Sequence, residues 1–290
     1  MFYTNDIDHL IKNIDCINYF DIGSREDGEK GWIDLINSKL KKINFEAEDN
    51  SGLFNEKKTG ILFLTKNKSQ SSLFEPNKIL DLYELQSTRL EYTKQEIKLD
   101  TIDNKFLNSN IDCDLIKIDT QGSEYEILEG GLNYINKKKP FLFLETWMFE
   151  YYKNIKSFDK IISLLETINY QVYSVDKCAS LRINLKDHFT KNIGGQQITG
   201  LNLFCAPKID DIKDLDYPSR SRRSFLFFVH NLLTHSFYLV KDDINSKYQT
   251  ELKKIINKKI KYKNFYKIYR QICFLKFKIF GNSNKFYKLT

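Results

Sequence analysis

Short apolar runs alternate with segments of helical periodicity through the first 207 of the 290 residues. The apolar runs predict strands over 16–22, 43–48, 60–65, 114–119, 140–146, 170–176 and 201–206. The periodic segments predict helices over 28–42, 123–137 and 157–169. Because strand–helix alternation favours parallel strands joined by right-handed crossovers, we expect an α/β fold with a doubly wound, mostly parallel, seven-stranded sheet. In such a sheet, ligands bind beyond the carboxyl ends of the strands.

The remaining residues, 208–290, differ in charge from the rest of the chain. They contain 19 Lys and Arg against 7 Asp and Glu, whereas residues 1–207 are net acidic although the whole chain carries +7. We therefore expect one domain over 1–207 and a basic, mainly helical C-terminal extension over 208–290. Basic and apolar residues recur at helical spacing over 252–280, which predicts an amphipathic helix. Its partner stays open between the body, a second copy of the chain, an anionic membrane surface and, as the least favoured, nucleic acid.

The five cysteines are scattered along the chain, and none belongs to a CxxC pair. This spacing argues against a zinc ribbon and against a disulfide framework, and it fits a reducing cytoplasm. The N-terminal segment "MFYTNDIDHL" lacks the basic region and the apolar core of a secretory signal. We therefore expect a cytoplasmic protein, which the basic extension could hold at the inner membrane surface.

The stretch "YFDIGSREDG" (19–28) contains the turn after the first predicted strand. A dinucleotide-binding turn needs glycines that let the backbone approach a pyrophosphate, but Arg25 occupies the second glycine position. Glu26, Asp27 and Glu29 follow, and each would repel a pyrophosphate by roughly 1 to 4 kcal/mol at close range. The turn therefore disfavours a dinucleotide and favours a cationic ligand.

S-adenosylmethionine is a ligand of this kind, since it carries a sulfonium and an ammonium group and no phosphate. Asp21 could accept hydrogen bonds from the ammonium, and the small residues Gly23 and Ser24 would let the ligand lie against the backbone. At the tip of the second predicted strand, Glu46 lies beside Ala47. Its distance from Gly23 is close to the ~20 residues that precede the ribose-binding acid in dinucleotide folds. The alternative interpretation is that these acids only cap the following helix.

A second cluster lies in "DLIKIDTQGSEYEILEGG" (114–131), where a predicted strand ends at Asp119 and Gly122 turns the chain into a helix. Lys117 lies inside this apolar strand, so it needs a carboxylate partner or a route to solvent. One interpretation places Asp119 beside the reacting group of a ligand. The other treats the segment as an ordinary strand–turn–helix, in which Glu124 caps the helix.

Together these segments resemble the FkbM-type family of S-adenosylmethionine-dependent methyltransferases. The matching stretches are "FDIGS" (20–24), "FEAE" (45–48), "SSLFEP" (71–76), "TID" (101–103), "DLIKIDTQGSEYEILEGG" (114–131) and "FLFLETW" (141–147). The resemblance covers about residues 15–206, and it implies a class I methyltransferase fold, S-adenosylmethionine as the cofactor and transfer to a hydroxyl, often on a sugar or glycan. It also brings Asp103 into the cofactor site and makes Glu145 the acid of the fifth-strand segment. Two departures from the family pattern are Gly28, which comes one position late, and Ala47, which replaces a proline.

Methyl transfer to an alcohol needs a base within hydrogen-bond reach of the hydroxyl. We expect Asp119 and Glu145 to be the catalytic residues, because adjacent strand ends would bring them together; His188 is a further candidate for the base. Asp103, Asp119 and Glu145 could in principle bind Mg²⁺, but we predict no metal. Two other functions stay open. One is a nucleic-acid methyltransferase, although the strand end lacks the N-P-P-Y or D-P-P-Y type, and the other is a Rossmann-like interaction module without a cofactor.

Overall fold

The apolar runs of the sequence lie in strands of the computed structural model, which describes residues 4–23, 32–45, 50–83, 86–184 and 197–280. The strands in these ranges are β1 (Ile17–Ile22), β2 (Leu40–Phe45), β3 (Ser51–Leu53), β4 (Lys58–Thr65), β5 (Tyr92–Asp100), β6 (Leu115–Ile118), β7 (Phe141–Trp147), β8 (Tyr170–Leu181) and β9 (Gln197–Pro207). The helices are α1 (Thr4–Ile11), α2 (Trp32–Ile36), α3 (Ile102–Phe106), α4 (Glu124–Glu129), α5 (Leu132–Lys138), α6 (Phe158–Glu166), α7 (Tyr217–Val229), α8 (Leu233–Val240) and α9 (Lys247–Phe280).

Six strands form the main sheet of the described residues, in the order β2-β1-β6-β7-β9-β8. Strand β1 pairs in parallel with β2 and β6, and β6 pairs in parallel with β7. Strand β9 runs antiparallel to both β7 and β8. The expected α/β class is therefore confirmed, whereas the expected count of seven strands is corrected to six for this part of the chain.

The strand that the main sheet lacks is the one expected over 60–65. It lies in β4, which belongs to a second sheet with the order β3-β5-β4 and pairs antiparallel with β5. In β5, Ile97 and Leu99 are buried, while Lys98 between them is exposed. A strand with one buried face suits an antiparallel sheet that is solvated on its other face, and it does not suit the centre of a parallel sheet.

Two predicted helices are shorter than their periodicity indicated. Of the described part of the helix expected over 28–42, only α2 is α-helical, and a 3₁₀ turn then leads into β2. The helix expected over 123–137 is divided into α4 and α5 at Gly130 and Gly131. A side chain at Gly130 would lie 2.1 Å from the carbonyl oxygen of Phe54, so a glycine here lets the second sheet approach the helix end.

The main sheet is covered on both of its faces. One face packs against α3, α4, α5 and α6 through buried residues such as Ile118 and Leu144. The other face packs against α1, α7, α8 and the start of α9, and residues 225–228 of α7 have no exposed surface. Helices of the basic extension therefore complete the core around the sheet, and a division into domains after residue 207 stays a prediction.

The helix expected over 252–280 lies within α9, and its amphipathic character stays a prediction. The first turns of α9 pack against α1 and α8, and Tyr248, Leu252 and Ile255 are buried there. Among the helices that the structure describes, none is both long and apolar enough to cross a membrane.

Candidate active site

The carboxyl ends of β1 and β6 meet at Gly23. The backbone of Gly23 has a φ of +85°, and a Cβ atom at this position would lie 2.0 Å from the carbonyl oxygen of Asp119. Two backbone hydrogen bonds hold the turn: the Gly23 amide donates to Phe45 O and the Asp119 amide donates to Ile22 O, both at 3.0 Å. Only glycine fits here, because both the φ value and the close approach exclude a side chain.

Asp21 is buried in β1, directly opposite Lys117 of β6. Lys117 Nζ lies 3.6 Å from Asp21 Oδ1 and 3.9 Å from Asp119 Oδ2. The carboxylate partner expected for Lys117 is therefore confirmed. Among the described residues, two acids therefore face one lysine at this corner of the sheet.

Asp119 and Glu145 lie at the ends of the neighbouring parallel strands β6 and β7. Gln121 connects them, since its Nε2 donates to Asp119 Oδ1 at 3.1 Å and to Glu145 Oε2 at 3.3 Å. The expected proximity of the two acids is therefore confirmed, and their catalytic roles stay predictions.

Burial is the main reason that the pKa of Glu145 is raised to about 9. A hydrogen bond with Asp119 and the nearby charges of Asp119 and Glu124 raise it further. The thiol of Cys178 donates to Glu145 Oε1 at 3.5 Å. Asp119 and Glu145 therefore share a proton at neutral pH, so that the pair of acids carries at most one negative charge. Such a pair offers one proton donor and one proton acceptor side by side.

Glu124 closes the turn that follows Asp119. Its buried carboxylate accepts hydrogen bonds from the amide and hydroxyl of Thr120 at 2.9 and 3.1 Å, and from the amide of Gly122 at 3.1 Å. Burial raises the pKa of Glu124 to about 7. These contacts assign Glu124 a structural role in the turn before α4, and its interpretation as a cap of that helix stays a prediction.

Asp103 lies in α3, and it stabilises the start of α5. Its carboxylate accepts hydrogen bonds from the Asn133 amide, the Asn133 side chain and the Tyr134 amide, at 3.3, 2.8 and 2.7 Å. These contacts occupy both oxygens with helix capping, and a contact of Asp103 with a cofactor stays a prediction. Within the described ranges, no three His, Cys, Asp or Glu side chains are arranged to hold a metal ion.

Four candidates from the sequence lie outside the residues that the structure describes. They are Ser24, Glu46, Ala47 and His188. Their expected contacts with the cofactor or the acceptor therefore stay predictions.

Sequence reasoning missed Gln121 and the side chains behind it. Gln121 Oε1 accepts a hydrogen bond from Arg89 Nη1 at 3.1 Å, and the hydroxyl of Tyr152 lies 3.3 Å from the same oxygen. The position of Gln121 inside the 114–131 cluster was the one available signal. Nothing in the sequence linked it to Arg89 or Tyr152, which lie in distant loops.

Strand β9 runs antiparallel between β7 and β8, and acids lie at the ends of β1, β6 and β7. In an α/β protein of this kind, the strand ends are where a ligand site is expected. The family model described as "Methyltransferase FkbM domain" matches residues 16–172, more than half of the chain. The chain therefore belongs to the FkbM methyltransferase family, as the resemblance indicated.

Two solved structures are similar to the chain at 14% identity. A methyltransferase FkbM from Methylobacillus flagellatus KT has a TM-score of 0.35, with 65% of this chain and 43% of that chain covered. The chain thus spans less than half the length of that protein. A precorrin-6y C5,15-methyltransferase from Geobacter metallireducens GS-15 has a TM-score of 0.32, with 71% and 87% covered. No curated protein matches the chain.

Proposed function

We propose that this protein transfers a methyl group from S-adenosylmethionine to a hydroxyl group of a sugar or glycan. The observation that carries the proposal is the pair of acids Asp119 and Glu145, which Gln121 connects beside the Gly23 turn. Membership of the FkbM methyltransferase family supports methyl transfer. The hydroxyl acceptor follows from the need for a proton acceptor at the site, and the sugar follows from the family resemblance.

The described residues at the ends of β1 and β6 fit a cationic methyl donor. Asp21 and Asp119 outnumber Lys117 at this corner, and the acidic turn after Gly23 lacks the glycines of a pyrophosphate site. Gly23 lets the backbone ends of β1 and β6 approach closely, because a Cβ atom there would lie 2.0 Å from the carbonyl oxygen of Asp119. When bound, S-adenosylmethionine would supply an electrophilic methyl group, whose bond to sulfur breaks as the bond to the acceptor oxygen forms, with S-adenosylhomocysteine as the leaving group. Asp21 and Asp119 would stabilise its positive charges.

The acid pair can accept the proton that the acceptor hydroxyl must lose. Asp119 is partly exposed, with 27% of its side chain accessible, so it can reach a hydroxyl and take its proton as the oxygen–carbon bond forms. Burial raises the pKa of Glu145, so a proton shared by the pair can donate a hydrogen bond that orients the acceptor. Fixed orientation of the hydroxyl supplies much of the acceleration in such a displacement.

The first experiment separates donor binding from turnover. In Asp119→Asn we expect binding of S-adenosylmethionine, measured by calorimetry, to be retained with a dissociation constant raised by about tenfold or less, because the side-chain shape is kept while one of the two acids near the donor loses its charge. Turnover should fall by about 10² to 10⁴, the usual contribution of a general base. Asp242→Asn makes the same chemical change at an exposed site and serves as the control. Undiminished turnover in Asp119→Asn would remove Asp119 from this role, and no donor binding by the natural protein would overturn the proposal.

The second experiment identifies the acceptor group. The protein is incubated with a donor carrying a labelled methyl group and with a panel of neutral and acidic oligosaccharides. A methyl ether on a hydroxyl survives mild alkaline hydrolysis, whereas a methyl ester on a carboxylate does not. We expect alkali-stable label in the sugar fraction. Label that is lost in alkali would contradict the hydroxyl acceptor.

A further inference from the structure

Gln121 lies between the acid pair and a buried arginine. Its amide nitrogen donates one hydrogen bond to Asp119 and one to Glu145. Its amide oxygen accepts from Arg89 Nη1 at 3.1 Å and lies 3.3 Å from the Tyr152 hydroxyl. Both N–H groups of the amide therefore donate hydrogen bonds, one to each acid.

Arg89 fixes which way this amide points. A guanidinium has donors and no acceptor, so a flipped amide would direct its NH₂ group at another donor and its oxygen at two acids. Arg89 is 9% exposed, and its Nε donates to Gln86 Oε1 at 3.0 Å. Its guanidinium lies 5.0 Å from the ring centroid of Tyr151. The arginine is thus held in place from two sides, and it holds the amide in one orientation.

The backbone of Gln121 is also constrained. Its φ is +58°, in the left-handed region that side chains other than glycine seldom adopt. Its carbonyl oxygen accepts a hydrogen bond from the hydroxyl of Ser72 at 2.7 Å. Left-handed non-glycine residues cost free energy and are concentrated at functional sites. The side chain of Gln121 is therefore aimed at the acids by both its backbone and its amide partners.

We propose that Gln121 is a positioning residue for the reaction, and that Arg89 acts through it by locking the amide toward Asp119 and Glu145. This inference rests on the proposed function. Without the amide, the two carboxyl groups lose their common anchor, and their geometry relative to an acceptor hydroxyl is no longer fixed. Among the described residues, the charged and titratable groups around the pair include Lys117 from β6, Glu124 from the start of α4 and Cys178 from β8. Tyr151 also interacts with Glu145, and Arg89 and Tyr152 lie behind Gln121.

The amide also affects where the pair titrates. Hydrogen bonds donated to a carboxylate favour its charged form. Removing both donors with Gln121→Met, which has a similar length and no amide, should therefore move the titration of the pair to higher pH. Arg89→Met leaves Gln121 in place but removes the guanidinium that fixes the orientation of its amide. It should therefore shift the titration of the pair in the same direction by a smaller amount.

The titration is measured by ¹³C NMR of carboxyl-labelled Asp and Glu in the full chain, without donor or acceptor. We expect the Asp119–Glu145 signals, assigned with Asp119→Asn and Glu145→Gln, to titrate about one pH unit higher in Gln121→Met. Gln171→Met, at an exposed glutamine of β8, should leave them unchanged. Unchanged titration in both Gln121→Met and Arg89→Met would overturn the inference. If one of the two fails to fold, the other decides the outcome.

Kinetics gives the second readout. In Gln121→Met we expect kcat to fall by about 10²-fold, as for a misplacement of reacting groups by ~1 Å, with the KM for the donor little changed. The pH dependence of kcat should move with the NMR titration. A fall in kcat without any shift of the pH profile would contradict the positioning role. Failure of the proposed function gives a different pattern: the NMR shift is present, and the natural protein transfers no methyl group.

Discussion

At the scale of single residues, the proton on Glu145 is the most consequential feature of the site. A group whose pKa is about 9 in the folded protein has a pKa near 4.3 when the chain is unfolded. The folded protein therefore binds a proton that the unfolded chain releases over this range. Stability is highest below about pH 4.3 as far as this group is concerned, and it is lost as the pH rises toward 9.

We predict that Glu145→Gln reduces this pH dependence, since glutamine is neutral at every pH. At pH 9 the variant should unfold about 2–4 °C above the natural protein, which corresponds to ~1 kcal/mol for a chain of this size. At pH 5 the difference should be much smaller. Thermal unfolding followed by circular dichroism between pH 5 and 9.5 measures the effect. Glu166→Gln, at an exposed position of α6, is the control, and parallel curves for Glu145→Gln and the natural protein would contradict the prediction.

Gly23 gives a second prediction at this scale. In Gly23→Ala the new Cβ would meet backbone atoms of Asp119, which cannot rotate away. We expect a loss of at least ~2 kcal/mol of unfolding free energy in urea, from backbone strain and overpacking together. Gly52→Ala is the matched control, because its nearest neighbour is the flexible Leu99 side chain at 3.1 Å. Equal effects of the two substitutions would show that the close approach of β1 and β6 is not needed.

The acids and the glycine of the site could be predicted from the sequence. Gln121, Arg89 and Tyr152 could not. Asp119 and Glu145 follow apolar runs, and parallel strands place their carboxyl ends at one edge. Arg89 lies in a 3₁₀ turn, and Tyr152 follows β7 in a loop. No periodicity relates loop positions to a strand end, so their contact with Gln121 depends on tertiary packing that only the structure contains.

At the scale of elements, the second sheet shows how a partner strand decides the position of an apolar run. The apolar run at 60–65 is typical of a strand from the middle of a parallel sheet. It pairs instead with β5, which alternates buried and exposed residues at its end. Because a short apolar run fits either sheet, the sequence predicts that the strand exists but not which strand pairs with it.

A buried ion cluster connects the main sheet to the basic extension. Asp114, 2% exposed, precedes β6 and accepts hydrogen bonds from Arg222 Nε at 2.9 Å and Arg223 Nη1 at 3.1 Å, both in α7. The Asn18 amide of β1 donates to the same carboxylate at 3.0 Å. Helix α7 is thereby anchored at the end of the sheet opposite to the candidate active site.

We predict that Arg223→Met destabilises the protein by about 3–5 kcal/mol, because it leaves a buried carboxylate with one fewer cation. The combined change Arg223→Met with Asp114→Asn should cost less than the sum of the two single changes. Urea unfolding of the three variants measures the coupling. Asp210→Asn, which breaks the exposed contact with Lys213, should cost less than ~1 kcal/mol. Additive effects at Asp114 and Arg223 would contradict the cluster.

At the scale of the whole molecule, the basic extension has two parts with different surroundings. Its first part supplies buried aromatic residues to the core, in α7 and at the start of α9. Its last part, after residue 261, contains seven Lys and Arg and no acid. An anionic partner for that part, whether a membrane surface or nucleic acid, stays a prediction from charge.

Truncation distinguishes these two parts and tests the division after residue 207. Residues 1–216 lack α7, α8 and α9, so Tyr19, Phe141 and Phe204 would lose the helices that cover them. We predict that this fragment does not form a soluble folded protein. Residues 1–261 keep the buried Tyr248 and Leu252, and this chain should retain a melting temperature within a few degrees of the full chain and bind S-adenosylmethionine equally well. If residues 1–216 fold and bind the donor, the sheet does not need the extension, and the extension is a separable domain.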